Sequence, residues 1–211
     1  MRIKICGITT IKQGLAISKM GATDLGFICV ASSPRYLKLS QLQPLVEVLA
    51  TVINTVGVFA NFSVDTIHHV VTLTGLNTVQ LHGTESIAFC EELRAALPNT
   101  EIIKAWRVKD LSDLALIQTY SGVVDSLLLD AYHPDALGGT GQTLNWEQLA
   151  AFSPSIPWLL AGGLTPDNIC TALSQVQPDG IDLSSGVEVS PGNKNLELVD
   201  RLFTNLSGRV S

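Results

Sequence analysis

Eight short apolar runs alternate with segments of helical period along the chain, and this alternation limits the possible folds more than any other feature. The runs have strand length, and the segments between them carry apolar residues every three or four positions, as in Phe89, Leu93 and Leu97. The predicted strands are Arg2–Cys6, Leu25–Val30, Ile53–Ala60, Thr78–His82, Glu101–Val108, Ser126–Asp130, Trp158–Gly162 and Gly180–Ser184. Repeated β-then-α units of this kind predict a parallel sheet with helices packed outside it.

The number of units favours a closed barrel over an open, doubly wound sheet. An open sheet usually has five or six strands and a glycine-rich first turn, whereas the first turn here is Cys6-Gly7-Ile8-Thr9. The 211 residues suit one barrel, and no linker or change in composition divides them. We therefore predict an α/β fold: a single (β/α)8 TIM barrel over residues 1–211 that forms one catalytic domain.

Local signals mark several helix ends. Thr165-Pro166-Asp167 predicts a helix start with a proline at the first helical position, and Ser63 and Asp110 are predicted caps. Three glycines that follow helical segments are predicted left-handed helix ends: Gly21, Gly75 and Gly122.

Composition and charge exclude several classes of partner. Only 15% of the residues are charged and 46% are hydrophobic, which fits strands buried on both faces. The net charge is −6 and no basic stripe is present, so we predict no nucleic-acid partner. No apolar stretch reaches the roughly 18 residues that a membrane span needs, so no membrane partner is predicted either. The cysteines are widely spaced and lack a C-x-x-C pattern, which predicts free thiols in the cytoplasm; they are Cys6, Cys29, Cys90 and Cys170.

Polar and small residues collect at the predicted C-terminal strand ends, where barrels of this kind carry their chemistry. The loops after the last two strands contain Gly162-Gly163 and Ser184-Ser185-Gly186, which let the backbone approach a ligand closely. Loops in these two positions commonly bind a phosphate group. The alternative is that these glycines serve only the tight turns.

The strand ends also resemble one family. The matching stretches, in chain order, are Lys4-Ile5-Cys6-Gly7-Ile8-Thr9, Ser33-Pro34-Arg35-Tyr36, Gly57-Val58-Phe59, Gln80-Leu81-His82-Gly83, Leu129-Asp130-Ala131, Gly138-Gly139-Thr140-Gly141, Ala161-Gly162-Gly163-Leu164 and Asp182-Leu183-Ser184-Ser185-Gly186-Val187-Glu188. Together they resemble the phosphoribosylanthranilate isomerases of tryptophan biosynthesis, over essentially the whole chain.

The resemblance implies an Amadori rearrangement of N-(5-phosphoribosyl)anthranilate to 1-(2-carboxyphenylamino)-1-deoxyribulose 5-phosphate. An acid protonates the furanose ring oxygen so that the ring opens to a Schiff base. A base then removes the proton from C2, and the enolamine becomes the ketone. No metal and no organic cofactor is implied, and the partner is a small phosphorylated substrate. The resemblance leaves both a monomer and a homodimer open.

The resemblance assigns catalysis to Cys6 as general base and Asp130 as general acid. Neither group is in its working form at neutral pH with an ordinary pKa, so a partly apolar site must hold the acid protonated and nearby positive charge must hold the thiolate. Arg35 is implied as the receptor of the anthranilate carboxylate, to which its planar fork is suited. The other implied substrate-binding residues are His82, Gly141, Gly162, Gly163, Asp182, Ser184, Ser185 and Gly186.

Two of these residues keep a second interpretation. His82 either lines the pocket or makes a hydrogen bond within the core, and it faces the same side as Gln80 because side chains alternate along a strand. Asp182 either binds substrate hydroxyls or neutralises Lys4 inside the barrel.

Rival functions fit the residues less well. The histidine-pathway aminoaldose isomerase would use two aspartates and a substrate with two phosphates. Indole-glycerol-phosphate synthase would need lysine and glutamate groups that the strand ends do not supply, and a pentose-phosphate epimerase would need metal-binding histidines. A non-catalytic barrel that binds a phosphorylated metabolite would keep the glycine loops but would not need both Cys6 and Asp130.

Overall fold

The computed structural model describes residues 1–108, 112–131 and 146–208. Eight parallel strands form a closed barrel in sequence order, and the last strand pairs with the first. The strands are β1 (Arg2–Cys6), β2 (Asp24–Ile28), β3 (Asn54–Phe59), β4 (Thr78–Leu81), β5 (Glu101–Val108), β6 (Ser126–Ala131), β7 (Trp158–Ala161) and β8 (Gly180–Leu183). The predicted barrel is confirmed, and the predicted strand bounds differ from these by no more than two residues.

Helices follow most of the strands. They are α1 (Ile11–Met20), α2 (Leu39–Leu49), α3 (Val64–Thr74), α4 (Ile87–Ala96), α5 (Ser112–Gln118), α6 (Ile169–Gln175) and α7 (Leu196–Ser207). Short 3₁₀ segments cover Thr119–Gly122, Trp146–Leu149 and Ser185–Val187. After β8 the chain also forms an antiparallel hairpin of β9 (Glu188–Ser190) and β10 (Asn193–Lys194). No helix in the described ranges combines the length and apolarity required to cross a membrane.

Three predicted helix ends are confirmed, and two, at Gly122 and Thr165, are wrong. The Ser63 side chain accepts a hydrogen bond from the Thr66 N–H and caps α3, while Gly21 and Gly75 end their helices at φ 113° and 75°. Gly122 does not adopt a left-handed conformation, because the chain there continues as a 3₁₀ turn. Asp110 lies outside the described residues.

The predicted helix start, with Thr165 as the cap and Pro166 as the first helical residue, is three residues early. The Thr165 backbone N–H donates to Asn168 Oδ1 at 2.8 Å, and the Asn168 N–H donates to Thr165 Oγ1 at 3.3 Å. This reciprocal pair holds a turn over residues 165–168, and α6 begins only after it, at Ile169. The sequence signal therefore marks the turn that leads into the helix.

Two apolar clusters divide the core. The larger one lies between the strands and the helices and includes Phe27, Phe59 and Ile67, each fully buried. The smaller one comes from the opposite face of the strands, since its Leu128 alternates with Leu127 and Leu129 of the larger cluster. Small and medium side chains therefore fill the barrel interior, and polar groups occupy its C-terminal mouth.

Candidate active site

A cavity of about 250 Å³ opens at the C-terminal ends of the strands. Every described residue that the resemblance implied for the site lines it: Cys6, Arg35, His82, Asp130, Gly162, Gly163, Asp182, Ser184, Ser185 and Gly186. Gly141 and the rest of its glycine-rich run lie outside the described residues. Strands from all around the barrel thus bring together side chains that are far apart in sequence.

Cys6 ends β1 beside a buried ion pair. Lys4 is fully buried, and its Nζ donates to Asp182 Oδ1 at 3.0 Å across the β1–β8 pairing. Asp182 therefore neutralises Lys4, one of its two predicted roles, while it also reaches the cavity. Burial lowers the pKa of Lys4, but the charges of Asp182 and Cys6 outweigh burial and raise it.

Burial raises the pKa of the Cys6 thiol, and the positive charges of Lys4 and Lys194 offset this only in part. The expected positive charge is therefore present, but burial prevails and favours the protonated thiol. Gly26 on the next strand makes room for this thiol, because a Cβ there would come within 2.6 Å of Cys6 Sγ.

Asp130 lies near the end of β6, with 24% of its side chain exposed. His82 Nε2 and Arg107 Nε lie 3.8 and 4.0 Å from Asp130 Oδ2, longer than hydrogen bonds. The Gln80 Nε2 amide nitrogen lies 3.1 Å from His82 Nδ1.

Gln80 has a further feature. Its side chain is 1% exposed and lines the cavity, and its Oε1 has no hydrogen-bond partner among the described residues. A buried acceptor without a partner is costly. We infer that this oxygen is available to a donor on a bound ligand.

Arg35 follows β2 and crosses the barrel mouth. Gly7 allows this path, because it has φ +81° and a Cβ there would come within 2.6 Å of Arg35 Cδ. The guanidinium meets Glu188 side-on, with Nε 2.9 Å from Oε1 and Nη2 2.6 Å from Oε2. Burial raises the pKa of Glu188, but the hydrogen bonds from Arg35 and Lys194 outweigh burial and lower it.

The loops after β7 and β8 pack closely together at the edge of the cavity. Gly162 and Gly163 adopt φ 89° and 64°, a conformation that side chains disfavour. Gly186 packs against the β7 loop so closely that a Cβ would lie 1.9 Å from Leu164 O. Backbone groups of both loops therefore border one end of the cavity. No group of three or more potential metal-binding side chains occurs in the described part of the chain.

Comparison with known proteins decides the family. The family model of N-(5'phosphoribosyl)anthranilate (PRA) isomerase matches residues 3–205. A protein of Nostoc punctiforme named N-(5'-phosphoribosyl)anthranilate isomerase is 56% identical over 209 residues, covering 99% of this chain and 100% of that protein. The chain belongs to the N-(5'-phosphoribosyl)anthranilate isomerase family. A Rippkaea orientalis protein of the same name is 57% identical, covering 98% of this chain and 96% of that one.

Solved structures of isomerases from this family have the same fold. Phosphoribosyl anthranilate isomerase from Thermotoga maritima superposes with a TM-score of 0.88 at 32% identity, covering 99% of both chains. A phosphoribosyl anthranilate isomerase in complex with reduced 1-(o-carboxyphenylamino)-1-deoxyribulose 5-phosphate gives a TM-score of 0.84 at 31% identity, again over 99% of both chains.

In this member of the isomerase family, sequence reasoning missed several residues of the site. The sequence predicts only that the Gln80 side chain points to the same face of β4 as His82, and it assigns Gln80 no role in the site. Lys194 is buried behind Arg35 and was not singled out at all. The β9–β10 hairpin that carries it has strands of three and two residues, too short for any periodic pattern to predict.

Proposed function

We propose that the protein catalyses the isomerisation of N-(5'-phosphoribosyl)anthranilate with Cys6 as general base and Asp130 as general acid. The single observation that supports this most is their position on the wall of one cavity in a member of the isomerase family. A thiol and a carboxyl group on opposite sides of a barrel, β1 and β6, can act on two atoms of one sugar.

The proton transfers follow from these positions. Protonated Asp130 gives its proton to the furanose ring oxygen, the bond from C1 to that oxygen breaks, and a Schiff base forms. The Cys6 thiolate then takes the proton from C2, and the C2–H electron pair forms the enolamine double bond. Tautomerisation of the enolamine gives the ketone. The positive charges of Lys4 and Lys194 favour the thiolate that this step requires.

The cavity also offers a place for each end of the substrate. We assign the anthranilate carboxylate to Arg35, and the phosphate to the backbone of Gly162, Gly163, Ser185 and Gly186 together with Gly141. The Ser184 hydroxyl donates to Cys6 O at 3.1 Å, so its hydroxyl helps to hold the β1 end in place.

The hydroxyl groups of the sugar remain for the middle of the cavity. We assign them to His82, Asp182 and Gln80 Oε1, which has no hydrogen-bond partner within residues 1–108, 112–131 and 146–208. A bound hydroxyl would supply a donor for this oxygen.

Further features of the protein stay proposals. We propose that residues 1–211 form one catalytic domain, that the protein acts as a monomer or homodimer, and that it resides in the cytoplasm. The location rests on the four cysteines, all of which are free thiols in the structure. A related structure is of monomers of the dimeric Thermotoga maritima isomerase, at 30% identity.

The proposal is tested with purified protein and freshly generated phosphoribosylanthranilate. Loss of the fluorescence of this compound, with a product of unchanged mass, is the expected result. A folded protein that binds the reduced product analogue but leaves the substrate unchanged would contradict the proposal and indicate a phosphate-binding barrel without catalysis.

A further inference from the structure

The guanidinium of Arg35 has two edges that can each donate two hydrogen bonds to a carboxylate, and Glu188 occupies one of these edges. Glu188 accepts from Nε and Nη2, the side-on edge. The edge formed by Nη1 and Nη2 is thereby left for another carboxylate. Arg35 lines the cavity with 20% of its side chain exposed, whereas Glu188 is 3% exposed. Glu188 thus holds Arg35 from the protein side.

The carboxylate of Glu188 in this position weakens the attraction of Arg35 for a second anion. Glu188 alone would neutralise Arg35, and a second carboxylate arriving at the same guanidinium would meet the repulsion of the first. A simple Arg35–Glu188 pair would therefore be well oriented but a poor receptor for an anion.

Lys194 removes this difficulty. Its side chain is fully buried, and its Nζ donates to Glu188 Oε1 at 2.7 Å and to the Ser184 carbonyl oxygen at 3.2 Å. The Gly192 N–H also donates to Glu188 Oε1 at 3.1 Å, so the β9–β10 hairpin surrounds this carboxylate with donors. Arg35, Glu188 and Lys194 form a triad with one net positive charge.

We propose that Lys194 is a positioning residue that acts through Glu188: it keeps the triad net positive, so that Arg35 is held side-on and still attracts the carboxylate on the aromatic ring of the substrate. This inference rests on the proposed function, because it needs Arg35 to face that carboxylate. Burial lowers the pKa of Lys194 below its ordinary value, and the hydrogen bond and charge of Glu188 offset this only in part.

The triad also connects carboxylate recognition to the catalytic thiol. Lys194 donates to the Ser184 carbonyl, and the Ser184 hydroxyl donates to the Cys6 carbonyl. The charge of Lys194 lowers the pKa of Cys6, as does that of Lys4, against burial and Asp182, which raise it. The buried ammonium group of Lys194 therefore affects both the recognition of the carboxylate and the ionisation of the Cys6 thiol.

The test compares two ligands on two proteins. The ligands are reduced 1-(o-carboxyphenylamino)-1-deoxyribulose 5-phosphate and its phenylamino counterpart without the carboxylate, and their dissociation constants are measured by calorimetry. Wild type is expected to prefer the carboxylated ligand. In Lys194→Met, which retains the length of the side chain but removes its charge, this preference should fall roughly tenfold, and the affinity for the other ligand should change little. Lys19→Met, at an exposed position on α1, should keep the wild-type preference.

The ratio of the affinities for the two ligands distinguishes an effect of the Lys194 charge from a general structural effect of the substitution. Equal losses of affinity for both ligands in Lys194→Met would show a merely structural role and overturn the inference, as would an unchanged preference. If Lys194→Met does not fold, Lys194→Gln keeps a donor for Glu188 and must show the same fall. Failure of the proposed function is distinguishable, since wild type itself would then leave phosphoribosylanthranilate unchanged or bind both ligands without preference.

Discussion

Two carboxyl groups at opposite ends of the barrel, those of Asp24 and Asp130, have different surroundings. At the N-terminal end, Arg2 donates to both Asp24 and Glu101, and Asn54 and Thr23 also donate to Asp24, which is 2% exposed. At the C-terminal end, His82 Nε2 and Arg107 Nε lie 3.8 and 4.0 Å from Asp130 Oδ2, beyond hydrogen-bond distance.

This difference suits one carboxyl group to stabilising the fold and the other to transferring a proton. Hydrogen bonds and ion pairs fully occupy the carboxylate at the N-terminal end, so it can contribute to folding but cannot exchange a proton easily. The carboxyl group of Asp130 at the C-terminal end is partly buried and faces the cavity, where a bound ligand can reach it. We expect substitutions at the two ends to have effects of different kinds, on rate at one end and on unfolding at the other.

The largest effect is expected for Asp130→Asn. An amide cannot deliver a proton to the ring oxygen, so kcat should fall by roughly 10²- to 10⁴-fold, the usual contribution of a general acid. Steady-state kinetics with phosphoribosylanthranilate and a thermal melt check this. The melting temperature should stay near that of wild type, and a variant that loses stability but keeps its rate would reverse the comparison.

The pH dependence of Cys6 should come next in size. Because burial raises its pKa, only a minor fraction of the thiol is ionised near neutrality, and this fraction grows about tenfold per pH unit up to the pKa. Alkylation of Cys6 by iodoacetamide, followed by mass spectrometry, should therefore accelerate with pH to beyond about pH 8.5, the ordinary thiol value. A rate that is already constant at pH 7 would show a depressed pKa instead. The exposed Cys170 provides the internal control in the same digest.

At the opposite end, Asp24→Asn should lower the free energy of unfolding by roughly 2–4 kcal/mol at pH 7, because Arg2 loses a buried partner. Burial pushes the pKa of Asp24 up, but the hydrogen bond and charge of Arg2 outweigh burial and hold it below its ordinary value. A lowered folded-state pKa gives stability that is present above the unfolded value of about 3.9 and is lost as the pH falls through the folded value.

The difference in the free energy of unfolding between wild type and Asp24→Asn should therefore be constant from neutral to mildly acidic pH. It should disappear below about pH 4. Urea denaturation at several pH values measures it. A variant that unfolds like wild type at pH 7 but has lost turnover would contradict the assignment of this end to stability.

The smallest effect is expected for an exposed ion pair outside both ends. Arg201 Nη2 lies 2.9 Å from Asp167 Oδ2, and the two side chains are 47% and 76% exposed. Exposed pairs contribute about 0–1 kcal/mol, so Arg201→Ala should leave both the unfolding curve and the rate close to those of wild type. A large loss by either measurement would mean that charge pairing in general, rather than its place in the barrel, determines the effects.

The barrel itself was largely predictable from sequence, and the reason is physical. Strands buried on both faces carry continuous apolar runs such as Leu127-Leu128-Leu129, and a sheet covered by helices buries all of these side chains. Helix caps depend on one side chain and its next turn, so Ser63 was predictable. Gly122 was not, because whether a glycine ends a helix or continues a 3₁₀ turn depends on packing beyond the local sequence.

The site was predictable in its membership but not in its electrostatics. Alternation and strand ends place Cys6, His82 and Asp130 at one mouth, and the family resemblance adds their roles. The balance at Cys6 between burial and two lysines depends on three-dimensional distances that no spacing encodes. Lys194 comes from a hairpin of minimal strands, and it approaches Glu188 only because the turn at Gly192 folds back with φ +79°.

The most direct test follows wild type, Cys6→Ala and Asp24→Asn side by side, by the fluorescence decay of phosphoribosylanthranilate and by thermal melting. We predict that Cys6→Ala melts like wild type and leaves the substrate unchanged, whereas Asp24→Asn melts earlier and still consumes it. A Cys6→Ala protein that keeps most of the wild-type rate would contradict the assignment of the base and, with it, the division of labour between the two ends of the barrel.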